Sequence, residues 1–161
     1  PVASGRRCLQ AMEEIAMQVQ RLHEVAGQET WLIILETGDE AMACLKRFAA
    51  DEALDAASFK AIGAFSRARL AFFDFETQSY EPIVVDEQTE VASLTGDIAL
   101  DPEGRPAVHV HAVLGRRDGS ALAGHLEEGV VRPTLEVMLT ESPAVLRKRL
   151  DPQSGLALIR V

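Results

Sequence analysis

From Ala57 onward the chain reads as one short β-type segment after another, each closed by turn residues, and this succession limits the fold more than any other feature. Ser58–Ile62 leads to Gly63, where a bulge or a close backbone approach is expected. Arg69–Phe75 and Tyr80–Val85 flank a polar turn and form a hairpin pattern. Residues 88–100 alternate over much of their length, Asp101–Pro106 turns, and Ala107–Leu114 is the next strand. After a second turn at Arg116–Gly119 come a short segment, Ala123–Leu126, and a longer one, Val130–Thr140, in which Pro133 suggests an edge or a bulge. Pro143–Leu150 reads as a helical turn with Arg147–Arg149 exposed, and Leu156–Ile159 could close the sheet.

The first third differs. In residues 8–26, Leu9, Met12, Ile15, Ala16, Val19, Leu22 and Ala26 recur at steps of three and four, which predicts an amphipathic helix stopped by Gly27. His23 falls near its end, where a cation suits the helix dipole. Trp31–Leu35 is a short apolar run, a strand buried on both faces, and Ala41, Met42, Leu45, Phe48 and Ala49 give a second helix to about Glu52. The expected class is α+β: one mostly antiparallel sheet with helices packed against it, plus an extra N-terminal helix. Residues 1–29 read as an extension and 30–161 as the domain.

Charge narrows the partners. Sixteen Lys and Arg against 25 Asp and Glu give a net charge of −9, which disfavours a surface that binds nucleic acid directly, because phosphate binding is driven by basic side chains. Arg147-Lys148-Arg149 is the best local basic patch, sufficient for a weak phosphate contact without specificity. Gly104-Arg105-Pro106 superficially matches a minor-groove reader, but Asp101 and Glu103 before it make it a turn. Cys8 and Cys44 sit in helix-like apolar patterns and read as reduced, buried thiols, which suggests a cytoplasmic protein. No apolar run approaches the ~20 residues a membrane helix needs, and the start, Pro1–Arg7, has neither an initiator Met nor a signal-peptide core.

Three of the four histidines crowd together: His109, His111 and His125. Residues i and i+2 of a strand share a face, so His109 and His111 project side by side, opposite Val108, Val110 and Ala112. If 115–122 is a hairpin return, His125 lands beside them. Three neutral imidazoles suit a divalent ion such as zinc and leave a fourth position for water or substrate. The same face could be a subunit contact, with the histidines hydrogen-bonded to a neighbour. Glu90 is the candidate general base if its face, shared with Ala92 and Leu94, is the inward one; Glu136 raises the same question. Ser93 and Ser120 read as ordinary strand and turn serines rather than nucleophiles. No glycine-rich phosphate loop and no nucleophile elbow are present.

Together, Leu35-Glu-Thr-Gly-Asp-Glu40, Ala61-Ile-Gly-Ala-Phe65 with Ala68-Arg-Leu70, Glu90–Ile98, Val108-His-Val-His-Ala112, Gly124-His-Leu126 and Pro133-Thr-Leu-Glu-Val137 resemble the plants and prokaryotes conserved (PPC) domain family. The resemblance runs from about Thr30 to Leu158. It implies an α+β subunit assembling as a homotrimer, with histidines at the positions of His109, His111 and His125 as metal ligands in some members. Plant members carry AT-hooks ahead of the domain and regulate DNA; none precedes the domain in this chain. The function expected is a homotrimeric binding or regulatory module, associated with DNA only through partners and holding a metal such as zinc on the three histidines. The alternative is a zinc-dependent enzyme of hydrolase type using the same ligands.

Overall fold

A computed structural model describes residues 17–160. Nine strands and one helix follow in the order β1 (Gln18–Val25), β2 (Gln28–Glu36), α1 (Ala41–Asp51), β3 (Ala56–Asp74), β4 (Ser79–Val85), β5 (Thr89–Leu100), β6 (Pro106–Gly115), β7 (Ala121–Glu141), β8 (Arg147–Leu150) and β9 (Ala157–Arg160). All nine strands belong to one sheet, and only the contact of β5 with β8 is parallel. Strand β3 pairs with β5 and β7, and β6 pairs with the same two, so these four close on themselves. Closure removes edges that would otherwise be open to other chains.

The core lies inside this closed part and under α1. Phe65, Leu70, Leu94, Ile98, Leu114, Leu126 and Leu135 are fully buried, each contributing roughly 1.5–3 kcal/mol through the apolar surface it withdraws from water. Helix α1 turns Ala41, Met42, Cys44, Leu45, Phe48 and Ala49 inward, and Phe48 meets Trp31 edge to face with ring centres 5.4 Å apart. Burial pushes the Cys44 thiol up to about 11, with Asp39 and Glu40 adding to the effect, so it is an inert packing residue.

Glu40 fastens the helix to the sheet. Its carboxylate accepts the N–H groups of Met42 and Ala43 at 3.1 and 2.7 Å, capping α1, and that of Gly129 in β7 at 3.0 Å. Glu40→Ala orphans three donors at once. We expect it to lower unfolding free energy by about 2 kcal/mol in a denaturant titration, with Glu40→Gln intermediate; an unchanged midpoint would contradict this role.

Several expectations need correction. Residues 18–25 of the predicted N-terminal helix form β1, an edge strand exposed along its whole length; residues 8–16 lie outside the described residues. Ala26 and Gly27 both have positive φ and make a two-residue turn between Val25 and Gln28, so the glycine read as a helix stop serves a hairpin. The backbone pairs along β2, and that pairing outweighs a three-and-four spacing with no surface to bury against. His23 accordingly lies in a strand. Pro143–Leu150 is not a helical turn either, since Arg147–Leu150 is β8, paired with β9. Segments that look separate in the sequence prove continuous: β3 spans 19 residues and β7 spans 21. The register slips at Gly63, where an added Cβ would collide with the Thr134 carbonyl and come within 2.8 Å of Leu135 Cα. The close approach expected there is between β3 and β7.

Candidate metal centre

The turn Arg116–Ser120 joins β6 to β7 as a hairpin with Gly115 opposite Ala121. That register sets His111 directly across from His125. His109, two residues back on the same face, completes the group, while Val110 and Ala112 point into the core. The three rings pack as a cluster with centres 5.0 Å (His109–His111), 5.2 Å (His109–His125) and 5.6 Å (His111–His125) apart. One nitrogen from each lies within 4.8 Å of the others. Nitrogens around a tetrahedral zinc stand roughly 3.3 Å apart, so small ring rotations would bring these to bonding distance.

Strand β5 supplies what spacing arguments missed. Asp97 lies directly opposite His109, and its Oδ2 accepts from His109 Nδ1 at 3.2 Å. That bond fixes the tautomer and leaves the lone pair of His109 Nε2 free to bind a metal ion. Lys148 of β8 is buried, with Nζ 3.2 Å from Asp97 Oδ1 in an ion pair by distance, although not at a hydrogen-bonding angle. Its ammonium also donates to the Ala107 carbonyl at 3.3 Å. Burial pushes the Asp97 carboxyl up, but the His109 bond and the Lys148 charge outweigh it and hold the group below its usual range. Gly96 makes this proximity possible: a Cβ there would lie 2.5 Å from the His109 carbonyl and strike the Phe59 ring. The basic cluster read as exposed is therefore split, with Arg147 and Arg149 outside and Lys148 turned into the site.

Electrostatics favour the neutral imidazole at two of the three positions, His125 and His111. Burial lowers His125 to about 4, and the neighbouring His109 and His111 push the same way. Burial and His109 likewise lower His111. His125 Nδ1 is buried and has no hydrogen-bond partner among the described residues. A buried nitrogen without a partner costs roughly 1–3 kcal/mol, and a metal ion is a partner it could take. The residues present thus fit a divalent ion: three imidazole nitrogens, one of them orphaned, and a carboxylate orienting a ring from behind. If Asp97 orients His109 in this way, Asp97→Asn should weaken metal binding by roughly 10–100-fold in a competition titration with a chelator dye; an unchanged affinity would assign Asp97 to Lys148 alone.

Glu90 does not join this group. It is exposed and lies opposite Gly115 and Ala64, five residues along β5 from Thr95, the partner of His111. That is roughly 17 Å at the rise of a strand. The physical cause is a bulge between Val91 and Ser93, which reverses the alternation so that Val91 and Leu94 both point inward. Glu136 is exposed on β7, Ser93 is exposed on β5, and the Ser120 hydroxyl is spent on Asp118 in the turn.

A cleft of about 860 Å³ opens beside the imidazoles. Phe73 and Tyr80 of the β3–β4 hairpin form one wall, and Leu158 and Ile159 of β9 form the other.

No curated protein matches the sequence significantly. Solved structures are similar throughout. A metal-containing protein from Archaeoglobus fulgidus is 28% identical with a TM-score of 0.75, over 82% of this chain and 93% of that one. A plant- and prokaryote-conserved protein from Pyrococcus horikoshii is 28% identical with a TM-score of 0.76, over 89% and 95%. A protein from Ralstonia eutropha designated a candidate DNA-binding protein is 29% identical with a TM-score of 0.77, over 88% and 95%. The model of the Plants and Prokaryotes Conserved (PCC) domain, the family abbreviated PPC above, matches residues 22–143. This chain belongs to the Plants and Prokaryotes Conserved domain family.

Proposed function

We propose that the chain is a binding and regulatory module that assembles as a homotrimer and holds one divalent ion, zinc by donor chemistry, on His109, His111 and His125. The observation that carries the reading is the convergence of three imidazoles from the neighbouring strands β6 and β7 on one face of the sheet, one with an unpartnered buried nitrogen. The name of the Archaeoglobus fulgidus protein, metal-containing, supports it. The Ralstonia eutropha designation supports a role near DNA, which a net charge of −9 assigns to partners rather than to direct contact. No helix among the described residues is long and apolar enough to cross a membrane, and a cytoplasmic location is part of the proposal. Residues 1–29 would be an extension whose final strand, β1, docks on β2, and residues 30–161 would carry the domain.

One observation favours a second reading, a metal-dependent hydrolase: the cleft beside the histidines gives a reacting molecule room to approach. A bound divalent ion would supply Lewis-acid polarisation there. Asp97 would hold the His109 ring in place, and Lys148 would keep Asp97 ionised. Among the described residues, the carboxylate nearest the rings is thus already paired, so a general base is the missing part.

The test is metal content by plasma mass spectrometry together with molar mass by light scattering. Near one zinc per chain and a mass three times the 17.5 kDa chain are expected. A metal-free protein from a preparation never exposed to chelator would overturn the metal centre, and a monomer would overturn the assembly.

A further inference from the structure

The cleft has a charge balance that selects its occupant. Its charged lining side chains are Asp97 and Lys148, which stand 3.2 Å apart and cancel. Imidazoles that bind a metal do so in their neutral form. A divalent ion on them would leave two positive charges uncompensated at the floor of a cleft whose walls are apolar. Charge in such surroundings is costly without a counter-ion, so the occupant must bring a negative group. Lys148 is the single cation of the lining and is already engaged by Asp97 and the Ala107 carbonyl. Beyond Lys148 and the imidazoles, the Tyr80 hydroxyl is the one further side-chain donor of the lining, so a phosphate would leave most of its oxygens unpaired, whereas a carboxylate has two oxygens and needs fewer.

The walls define the rest of the molecule. Tyr80, Leu158 and Ile159 expose more than a third of their surfaces, and Phe72 exposes 60%. An apolar patch rimming a concave site marks a surface that is covered in function. The volume, about 860 Å³, falls within the range of small-molecule sites.

Resting on the metal reading above, we infer that this cleft binds a small amphipathic carboxylate, with its carboxylate at the metal on the histidines and its hydrocarbon body between the β3–β4 hairpin and β9. The module would then report on, or act on, short- to medium-chain organic acids.

The experiment uses the full chain loaded with cobalt(II), whose visible absorption reports its ligands. Acetate, butyrate, octanoate and octylamine are titrated in turn, with metal-free protein as a control. Octanoate is expected to change the cobalt spectrum saturably and to bind at least about fiftyfold more tightly than butyrate, since each buried methylene adds about fourfold. Octylamine should leave the spectrum unchanged. Leu158→Asp, and independently Ala123→Phe to fill the cleft, should weaken octanoate at least tenfold while cobalt uptake and the acetate response persist. The second variant guards against misfolding of the first. Cobalt uptake with octanoate no tighter than acetate would overturn this inference alone, and a cleft covered by a second copy of the chain would give that result. Absence of cobalt uptake would overturn the metal centre, and the charge argument would fall with it.

Discussion

Metal affinity is expected to fall by at least a hundredfold when His125 is replaced by alanine, with little change in the stability of the metal-free protein. The two halves of this prediction have different causes. Removing one of three nitrogens takes away a bond to the ion, and the loss should match or exceed the 10–100-fold typical of an outer partner. The fold has less to lose. His125 Nδ1 makes no hydrogen bond among the described residues, and its ring is only partly buried, against Tyr80 with centres 5.0 Å apart. Truncation therefore removes an unsatisfied group together with some packing, and the net should stay within about 1 kcal/mol. His109→Ala with His111→Ala should likewise abolish binding, but there Asp97 loses its partner on β6, so metal-free stability should drop as well. Calorimetric titration with zinc and thermal unfolding in chelator separate the effects. Retention of near-normal zinc affinity by His125→Ala would show that this imidazole is a packing residue.

The histidine triad could be read from the sequence because it depends on two local devices: strand alternation within β6 and the length of one turn. Counting four residues back from Gly115 and four forward from Ala121 gives His111 and His125. The same count applied to the Asp101–Arg105 turn would have found Asp97. Leu100 faces Pro106, and three steps along each arm reach Asp97 and His109. Lys148 offered no such route. Its inward direction follows from β8 lying parallel to β5 through Leu100 and Arg147, and from β9 closing over it, pairings set by tertiary packing. Helix α1 and the strand character after Ala57 were plain because their periods are long and sustained. The first strand was misread for the opposite reason: in β1 the apolar residues Val19, Leu22 and Val25 recur every third position, which satisfies a helical template although the chain is extended. Bulges explain both the apparent breaks in β3 and the error at Glu90, since one extra residue shifts every later side chain to the other face.

The metal-free protein is expected to lose stability on acidification between about pH 6.5 and pH 4, through the same cluster. Stability rises with pH wherever the unfolded chain holds more protons than the folded one. An unfolded His125 takes its proton near 6.5, whereas in the fold burial and its two neighbours delay protonation to about 4. Between those values the unfolded state binds the extra proton and is favoured. The shift corresponds to about 3 kcal/mol if taken whole, and to roughly 1–2 kcal/mol once screening of a partly exposed ring is allowed for. His111, also lowered, acts in the same direction. Asp97 extends the loss further down: its folded carboxyl is held below 3.8, so its contribution is complete above that value and disappears as the pH falls through the folded one. Bound metal should enlarge the neutral-pH advantage by about 4 kcal/mol at a thousandfold excess over Kd, and that increment must vanish in acid as protons displace the ion. Denaturant unfolding at several pH values, with chelator and with zinc, for the natural chain and for His125→Asn, resolves the contributions. The variant should show a shallower slope in the metal-free series and almost no zinc increment. Parallel curves for the two proteins would mean that the acid sensitivity arises elsewhere and that the His125 ring does not sit unprotonated in the fold.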